Sequence, residues 1–316
     1  MINTFKEICR MTQSQLKAHL RKELVKAKYD PICREGFLYA QGNVPVLLVA
    51  HLDTVHKEKC VDIEQKDEFT FTSPQGIGGD DRCGVFIIMN IIKELNCSVL
   101  FCEDEETGGQ GAKKFANSDL INRLNVNYII EFDRKGFEDA VFYKCDNKEF
   151  TDFILHNTPF KKATGTFSDI SVIAPAAKIA AVNLSSGYYN AHHVTEYVDY
   201  ADMINTIDIA KSLIQTESPK FEYIAEKQSD QMSFFDGGYG NFFDGKRNQT
   251  TYESPVRGRF SGIDFNLVEL EVVWVDDNGE EWSNTAVGKS KAEAFANFFI
   301  ENPDVCFNMI EDYNFY

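Results

Sequence analysis

The chain has little of what would commit it to a membrane, a nucleic acid or a disulfide framework. No apolar run approaches the roughly 20 residues needed to span a bilayer. The first stretch, MINTFKEICRMTQSQLKAHL, lacks the apolar core of a signal peptide and reads as an amphipathic helix. Cysteine occurs eight times, but in no C-x-x-C pair and at no regular spacing. With no secretion signal, the simplest reading is free thiols in a reducing cytoplasm, most of them buried as small apolar residues. Basic residues are scarce, with 32 Lys and Arg against 49 Asp and Glu, which leaves a net charge of −17. A chain so acidic is not expected to bind nucleic acid directly or to sit on an anionic membrane. It suits a cationic ligand.

What is present can build a large core. Apolar residues make up 43% of the 316, with 26 Phe and 13 Tyr, enough for one large domain or two. Four apolar runs read as strands: Val44–Ala50, Ser98–Phe101, Asn127–Phe132 and Lys178–Leu184. They are continuously apolar rather than alternating, which suits strands covered on both faces. Helical patterns lie between them, over Arg82–Leu95, Gly111–Asn117, Lys148–His156 and Met203–Gln215. Strands alternating with helices predict an α/β fold with a mostly parallel central sheet flanked by helices. In such folds ligands gather at the carboxyl ends of the strands.

After residue 226 the composition shifts. Residues 227–258 are rich in Gly, Asp, Asn and Ser and contain FFDG twice, as a linker or long loop would. Residues 259–316 regain order, with a strand over Phe265–Trp274, a turn at Asp276–Gly279, a second strand beyond it, and a Ser290/Glu293 capping box before the helix-like stretch 292–302. The expected organisation is a catalytic domain over 1–226, a linker over 227–258 and a small C-terminal α+β appendage over 259–316.

Each central strand runs into chemistry-bearing residues. His51-x-Asp53 follows the first, and alternation puts both side chains on one face. Gly78-Gly79-Asp80-Asp81 precedes the first central helix. Its glycines match neither phosphate-loop spacing, and two aspartates would repel phosphate. Four carboxylates, Glu103-Asp104-Glu105-Glu106, follow the second strand and precede Thr107-Gly108-Gly109-Gln110-Gly111-Ala112. Such crowding is costly unless a cation sits among them. Asp133 follows the third strand, and His192-His193-x-x-Glu196 lies beyond the fourth.

Taken in order, H-x-D, G-G-D-D, E-E-x-G-G-x-G-A, E-F-D and H-x3-E resemble the co-catalytic dizinc exopeptidases and amidohydrolases. That clan includes zinc aminopeptidases, tetrahedral aminopeptidases and peptidase T-like tripeptidases. The resemblance covers roughly residues 40–215, and Gly165-Thr166-x-x-Asp169 adds to it. It implies two divalent metal ions, zinc first, with cobalt or manganese also suited to a carboxylate-rich site. Asp80 would bridge them, His51 and Asp133 would complete one site, and Glu106 and His192 the other, with His193 the alternative. Asp53 would orient His51, and Glu105 would be the general base. Glu103 and Asp104 would be ordinary solvated or structural carboxylates.

Only about 28 residues separate His51 from Asp80, and about 58 separate Asp133 from His192. Neither gap holds the inserted domains of the tetrahedral aminopeptidases or of peptidase T, so a minimal catalytic unit is expected. The implied activity is hydrolysis of an amide bond in a small peptide or an acylated amino acid. Aminopeptidase leads, with carboxypeptidase or N-acyl amino acid amidohydrolase as alternatives. A reading of another class is a non-catalytic metal-binding module recruited through residues 227–316. Gln231–Phe235 resembles the short peptide by which some bacterial proteins bind the DNA sliding clamp.

Overall fold

A computed structural model describes residues 1–226, 268–275, 281–288, 298 and 310–315. The chain divides into two compact units, Met1–Phe234 and Phe235–Tyr316.

The first unit opens with helices α1 (Ile2–Cys9) and α2 (Gln13–Lys26). The N-terminal stretch is therefore two helices rather than one. Thr12 breaks it: its hydroxyl accepts from the Gln15 backbone N–H while the Gln15 side chain accepts from the Thr12 N–H, a capping box that starts a new helix. Strands β1 (Ile32–Arg34), β2 (Phe37–Ala40) and β3 (Val44–His51) follow, then two short strands, β4 (Glu64–Gln65) and β5 (Thr70–Thr72). Next come α3 (Gly79–Ile91), β6 (Cys97–Cys102), α4 (Gln110–Ala116), β7 (Tyr128–Arg134), β8 (Asp139–Val141), α5 (Lys148–Asn157) and β9 (Lys161–Ala163). The unit closes with α6 (Asp169–Ala177), β10 (Ala181–Ser185), β11 (Tyr188–Tyr189), β12 (Tyr197–Asp199) and α7 (Tyr200–Gln215).

The main sheet has the order β1-β2-β6-β3-β7-β10-β8-β9. Its four central strands are mutually parallel, and β2 and β8 join them antiparallel. The apolar runs mark these strands because both faces are covered. In β3, Leu48 and Ala50 pack with α1, α2, α3, α5 and α7 through residues such as Phe5, Leu20, Ile88, Phe150 and Leu213. Leu47 and Val49 point the other way, onto α4 and α6 through Phe115, Ile170 and Ile173. Parallel strands all end at one edge of the sheet. Val49 pairs with Glu131, so His51 and Asp133, each two residues further on, lie level and on the same face.

Several elements were not anticipated. Helix α6 is interrupted by Pro175 near its end, which hides its period, and Lys178 closes it in a left-handed turn. The fourth central strand therefore starts at Ala181, not at Lys178. Asp133 lies within β7 rather than after it. Helix α3 spans Gly79–Ile91, but Asp80 and Asp81 have non-helical backbone angles, so the regular helix begins at Arg82, as expected. The segment between His51 and Asp80 forms the β4–β5 hairpin, which joins β11 and β12 in a second sheet of order β11-β12-β5-β4. Its strands have two or three residues each, too short for a periodic signal.

In the second unit, Val268–Val275 pairs antiparallel with both Glu281–Gly288 and Ile310–Phe315. The first two match the expected strand pair, and the third strand is additional. Phe298 is helical and buried. The linker 227–258, the clamp-like peptide Gln231–Phe235, the turn at Asp276–Gly279, the Ser290/Glu293 capping box and the rest of the stretch 292–302 lie outside the described residues.

Gly111 fixes α4 against the acidic loop. A Cβ there would come within 2.5 Å of the Glu103 carbonyl oxygen and 2.6 Å of the Glu103 nitrogen, and nearer still to the Gly36 carbonyl. All are backbone atoms that cannot step aside. Gly111→Ala is therefore expected to destabilise the fold by about 1–3 kcal/mol, seen as a lower urea midpoint, while Lys113→Ala on the exposed face of the same helix leaves the midpoint unchanged.

Candidate metal centre

The acidic run divides its labour. Glu103 forms an ion pair with Lys17 of α2 and accepts from the Gly36 N–H at 2.9 Å. Asp104 accepts from the Gln13 side chain at 3.0 Å. These two carboxylates are structural and tie the loop to α2. Glu105 and Glu106 turn inward. Their backbone N–H groups donate to the two oxygens of Asp53, at 2.9 and 3.0 Å. Asp53 thus fastens the end of β3 to the loop after β6 and also faces His51 Nδ1 at 3.4 Å. Burial opposes its charge, but His51 and the two N–H groups hold its carboxyl below the usual range.

Asp80 lies between two imidazoles. One of its oxygens is 2.9 Å from His51 Nε2, and the other is 3.2 Å from His192 Nε2. His51 Nε2 is also 3.5 Å from Asp133, and His192 Nε2 is 3.2 Å from Glu106. Two ligand triads result, His51/Asp80/Asp133 and Asp80/Glu106/His192, sharing Asp80, with the donor atoms of each triad within 4.8 Å of one another. Glu105 joins His51 and Glu106 in a third such group. His193 takes part in none of these groups. His192 reaches inward from a left-handed backbone conformation at φ 67°.

The residues around the cluster hold it in place. Asp81, fully buried, accepts from the His51 and Gly84 backbone N–H groups at 3.2 and 2.9 Å. Glu196, also fully buried, accepts from the Gly78 and Asp80 N–H groups at 2.9 and 3.0 Å and meets His56 Nε2 at 2.6 Å. The Asn183 side chain bonds both the N–H and the carbonyl of Asp133, and the Tyr188 hydroxyl donates to the Asp133 carboxylate at 3.2 Å. Sequence reasoning gave Glu196 no role and did not single out Asn183 or His56. A polar residue within the apolar run of β10 was a usable signal for Asn183. His56 gave none.

The donor set fits a pair of divalent ions. Imidazole nitrogens and carboxylate oxygens are the ligands zinc and its neighbours take. Glu106 Oε1 and His51 Nδ1 are buried without a hydrogen-bond partner, and an unpaired buried carboxylate oxygen is costly unless a cation meets it. Ionised, the Asp80, Glu106 and Asp133 carboxylates would supply −3 against the +4 of two divalent ions. Hydrogen bonds donated to Asp80 and Glu106 raise His192 to about 10, a measure of how strongly the carboxylates draw positive charge. Burial pushes Glu105 up to about 7.

Residues 39–162 match the model of peptidase family M28. No curated protein gives a significant sequence match. Among solved structures, the fold is similar to the aminopeptidase PepT of Bacillus cereus, at 14% identity over 67% of this chain and 96% of that one, with a TM-score of 0.57. It is similar to a tripeptidase of Staphylococcus aureus, at 13% identity over 68% and 96% with a TM-score of 0.55. An aminopeptidase from the archaeon Desulfurococcus kamchatkensis aligns at 14% identity over 69% and 95% with a TM-score of 0.54. The match to the peptidase family M28 model over residues 39–162, the fold shared with these peptidases and the two triads sharing Asp80 agree with one another.

Proposed function

We propose that this protein is an aminopeptidase acting on short peptides, with His51, Asp80, Glu106, Asp133 and His192 as ligands to two divalent ions, zinc first. The observation that carries this is the position of Asp80, one oxygen toward each histidine, with Glu105 beside the shared cluster. Solved relatives of the fold described as aminopeptidases and a tripeptidase support the amino-end reading. Seven described cysteines are free thiols, which suits a reducing cytoplasm. Among the described residues no helix is long and apolar enough to cross a membrane.

When bound, the two ions supply Lewis acidity at the scissile carbonyl and lower the pKa of a water. The protein supplies the rest. Glu105, with a carboxyl near 7, is matched to take a proton from the attacking water and deliver it to the leaving nitrogen at neutral pH. Asp53 fixes the backbone of Glu105 and Glu106, so the base and the adjacent ligand move together. Glu196 fixes the backbone of Asp80, and Tyr188 and Asn183 fix Asp133.

Metal binding is read from stability. Zinc, cobalt or manganese added to the chelator-treated chain is expected to raise its melting temperature, by the equivalent of about 2.7 kcal/mol at a hundredfold excess over Kd. Asp80→Asn removes the rise, whereas Glu103→Gln, which alters only the ties to Lys17 and Gly36, keeps it. Chemistry is read from turnover. Glu105→Gln is expected to lower kcat by about 10²–10⁴-fold while the metal-induced rise persists. A requirement for a free amino terminus across free and N-acetylated dipeptides supports the aminopeptidase reading. Preference for the N-acetylated forms overturns it in favour of amidohydrolysis.

A further inference from the structure

A cavity of about 280 Å³ opens onto the cluster, near the lower end of small-ligand sites. Its lining includes Asp80, Glu105, Glu106 and Asp133, together with Arg134 and Lys135, the two residues after Asp133. Most of the chain's surface charge is negative, so two adjacent cations at this mouth stand out against a net −17.

The pair is built rather than loose. Ser186 N–H donates to the Arg134 carbonyl at 2.8 Å, and Ser185 Oγ donates to the Lys135 carbonyl at 2.8 Å. Gly136 N–H donates to the Tyr188 carbonyl at 2.8 Å, and Gly187 N–H donates back to the Gly136 carbonyl at 2.9 Å. The backbone carrying both cations is thus fastened to the end of β10 and to β11. Arg134 Nε is held by Asp139 at 2.9 Å. Among the described residues its terminal nitrogens have no acidic partner beyond that pair, and Lys135 has none at all. A guanidinium anchored through Nε keeps its two terminal NH₂ groups aligned for a carboxylate.

From this juxtaposition we infer that Arg134 and Lys135 hold the free C-terminal carboxylate of the substrate, so that the enzyme acts on dipeptides and similarly short peptides rather than on long chains. The inference rests on the peptidase reading and deepens it. Each residue of an extended peptide covers about 3.3–3.6 Å, and Arg134 and Lys135 line the same cavity of about 280 Å³ as Asp80, Glu105, Glu106 and Asp133. One or two residues beyond the scissile bond therefore bring a carboxylate to the cations. A longer substrate would place an uncharged peptide group there and leave Lys135 without its anion. A C-terminal amide fails for the same reason.

The test compares L-alanyl-L-alanine with L-alanyl-L-alanine amide in two ways. One is the KM of the zinc-loaded full chain. The other is the Kd of the Glu105→Gln variant, measured by calorimetry, which needs no turnover. The amide is expected to bind at least about tenfold more weakly in both measurements, the scale of one charge-assisted hydrogen-bonded pair. In the Arg134→Gln/Lys135→Gln double variant the ratio is expected to fall to within twofold. Lys135→Gln alone, a change on an exposed side chain, narrows it by about threefold and guards against a folding defect at Arg134. Equal binding of acid and amide by the unaltered pair, or a ratio that survives the double substitution, overturns the inference. If the loaded enzyme hydrolyses neither peptide, the peptidase reading fails, and the calorimetric ratio still decides the carboxylate site.

Discussion

The carboxylate of Asp80 is the constraint on which the rest of the site depends. Its two oxygens face different imidazoles, from His51 and His192, which are far apart in sequence and rise from different parts of the fold. Burial at 8% exposure opposes the charge of this carboxylate, but hydrogen bonds from His192 and His51 hold its carboxyl below the usual range. Everything around it holds one of these groups. The parallel strands β3 and β7 bring His51 and Asp133 to the same level. The loop after β6 presents Glu106, and the β11–β12 turn presents His192. Glu196 meets the N–H of Asp80 from behind.

The division of the acidic run follows from the same constraint. Four consecutive carboxylates would repel one another if all faced the same way. Two turn to Lys17 and Gln13 of α2, and two turn toward the ligand cluster. Asp53 keeps the division by accepting both inward-facing N–H groups. The loop therefore serves at once as a joint between α2 and the sheet and as the bearer of Glu105, the proposed base. Arg134 and Lys135 add positive charge to the lining of the same cavity.

Much of this was legible in the sequence. The four central strands announce themselves because each is buried on both faces, and parallel pairing brings their polar ends together. The identities of His51, Asp80, Glu105, Glu106, Asp133 and His192 followed from motif order, and the structure brings them into one cluster. The choice of His192 over its neighbour His193 rested on the H-x3-E spacing to Glu196, but how its ring reaches Asp80 and Glu106 was not legible. It depends on the turn at φ 67°, which no periodicity encodes. The small second sheet was invisible because its strands are two or three residues long. The supports at His56, Asn183 and Glu196 act through single contacts between residues as much as 140 positions apart, and one sequence carries no record of such pairings.

The central claim is that two metal ions flank Asp80. Anomalous diffraction at the zinc edge, from crystals of the full chain grown with zinc, tests it most directly. The account requires two peaks, one beside His51 and Asp133 and one beside Glu106 and His192, with Asp80 between them. A single peak away from Asp80, or none within ligand distance of these residues, would contradict it.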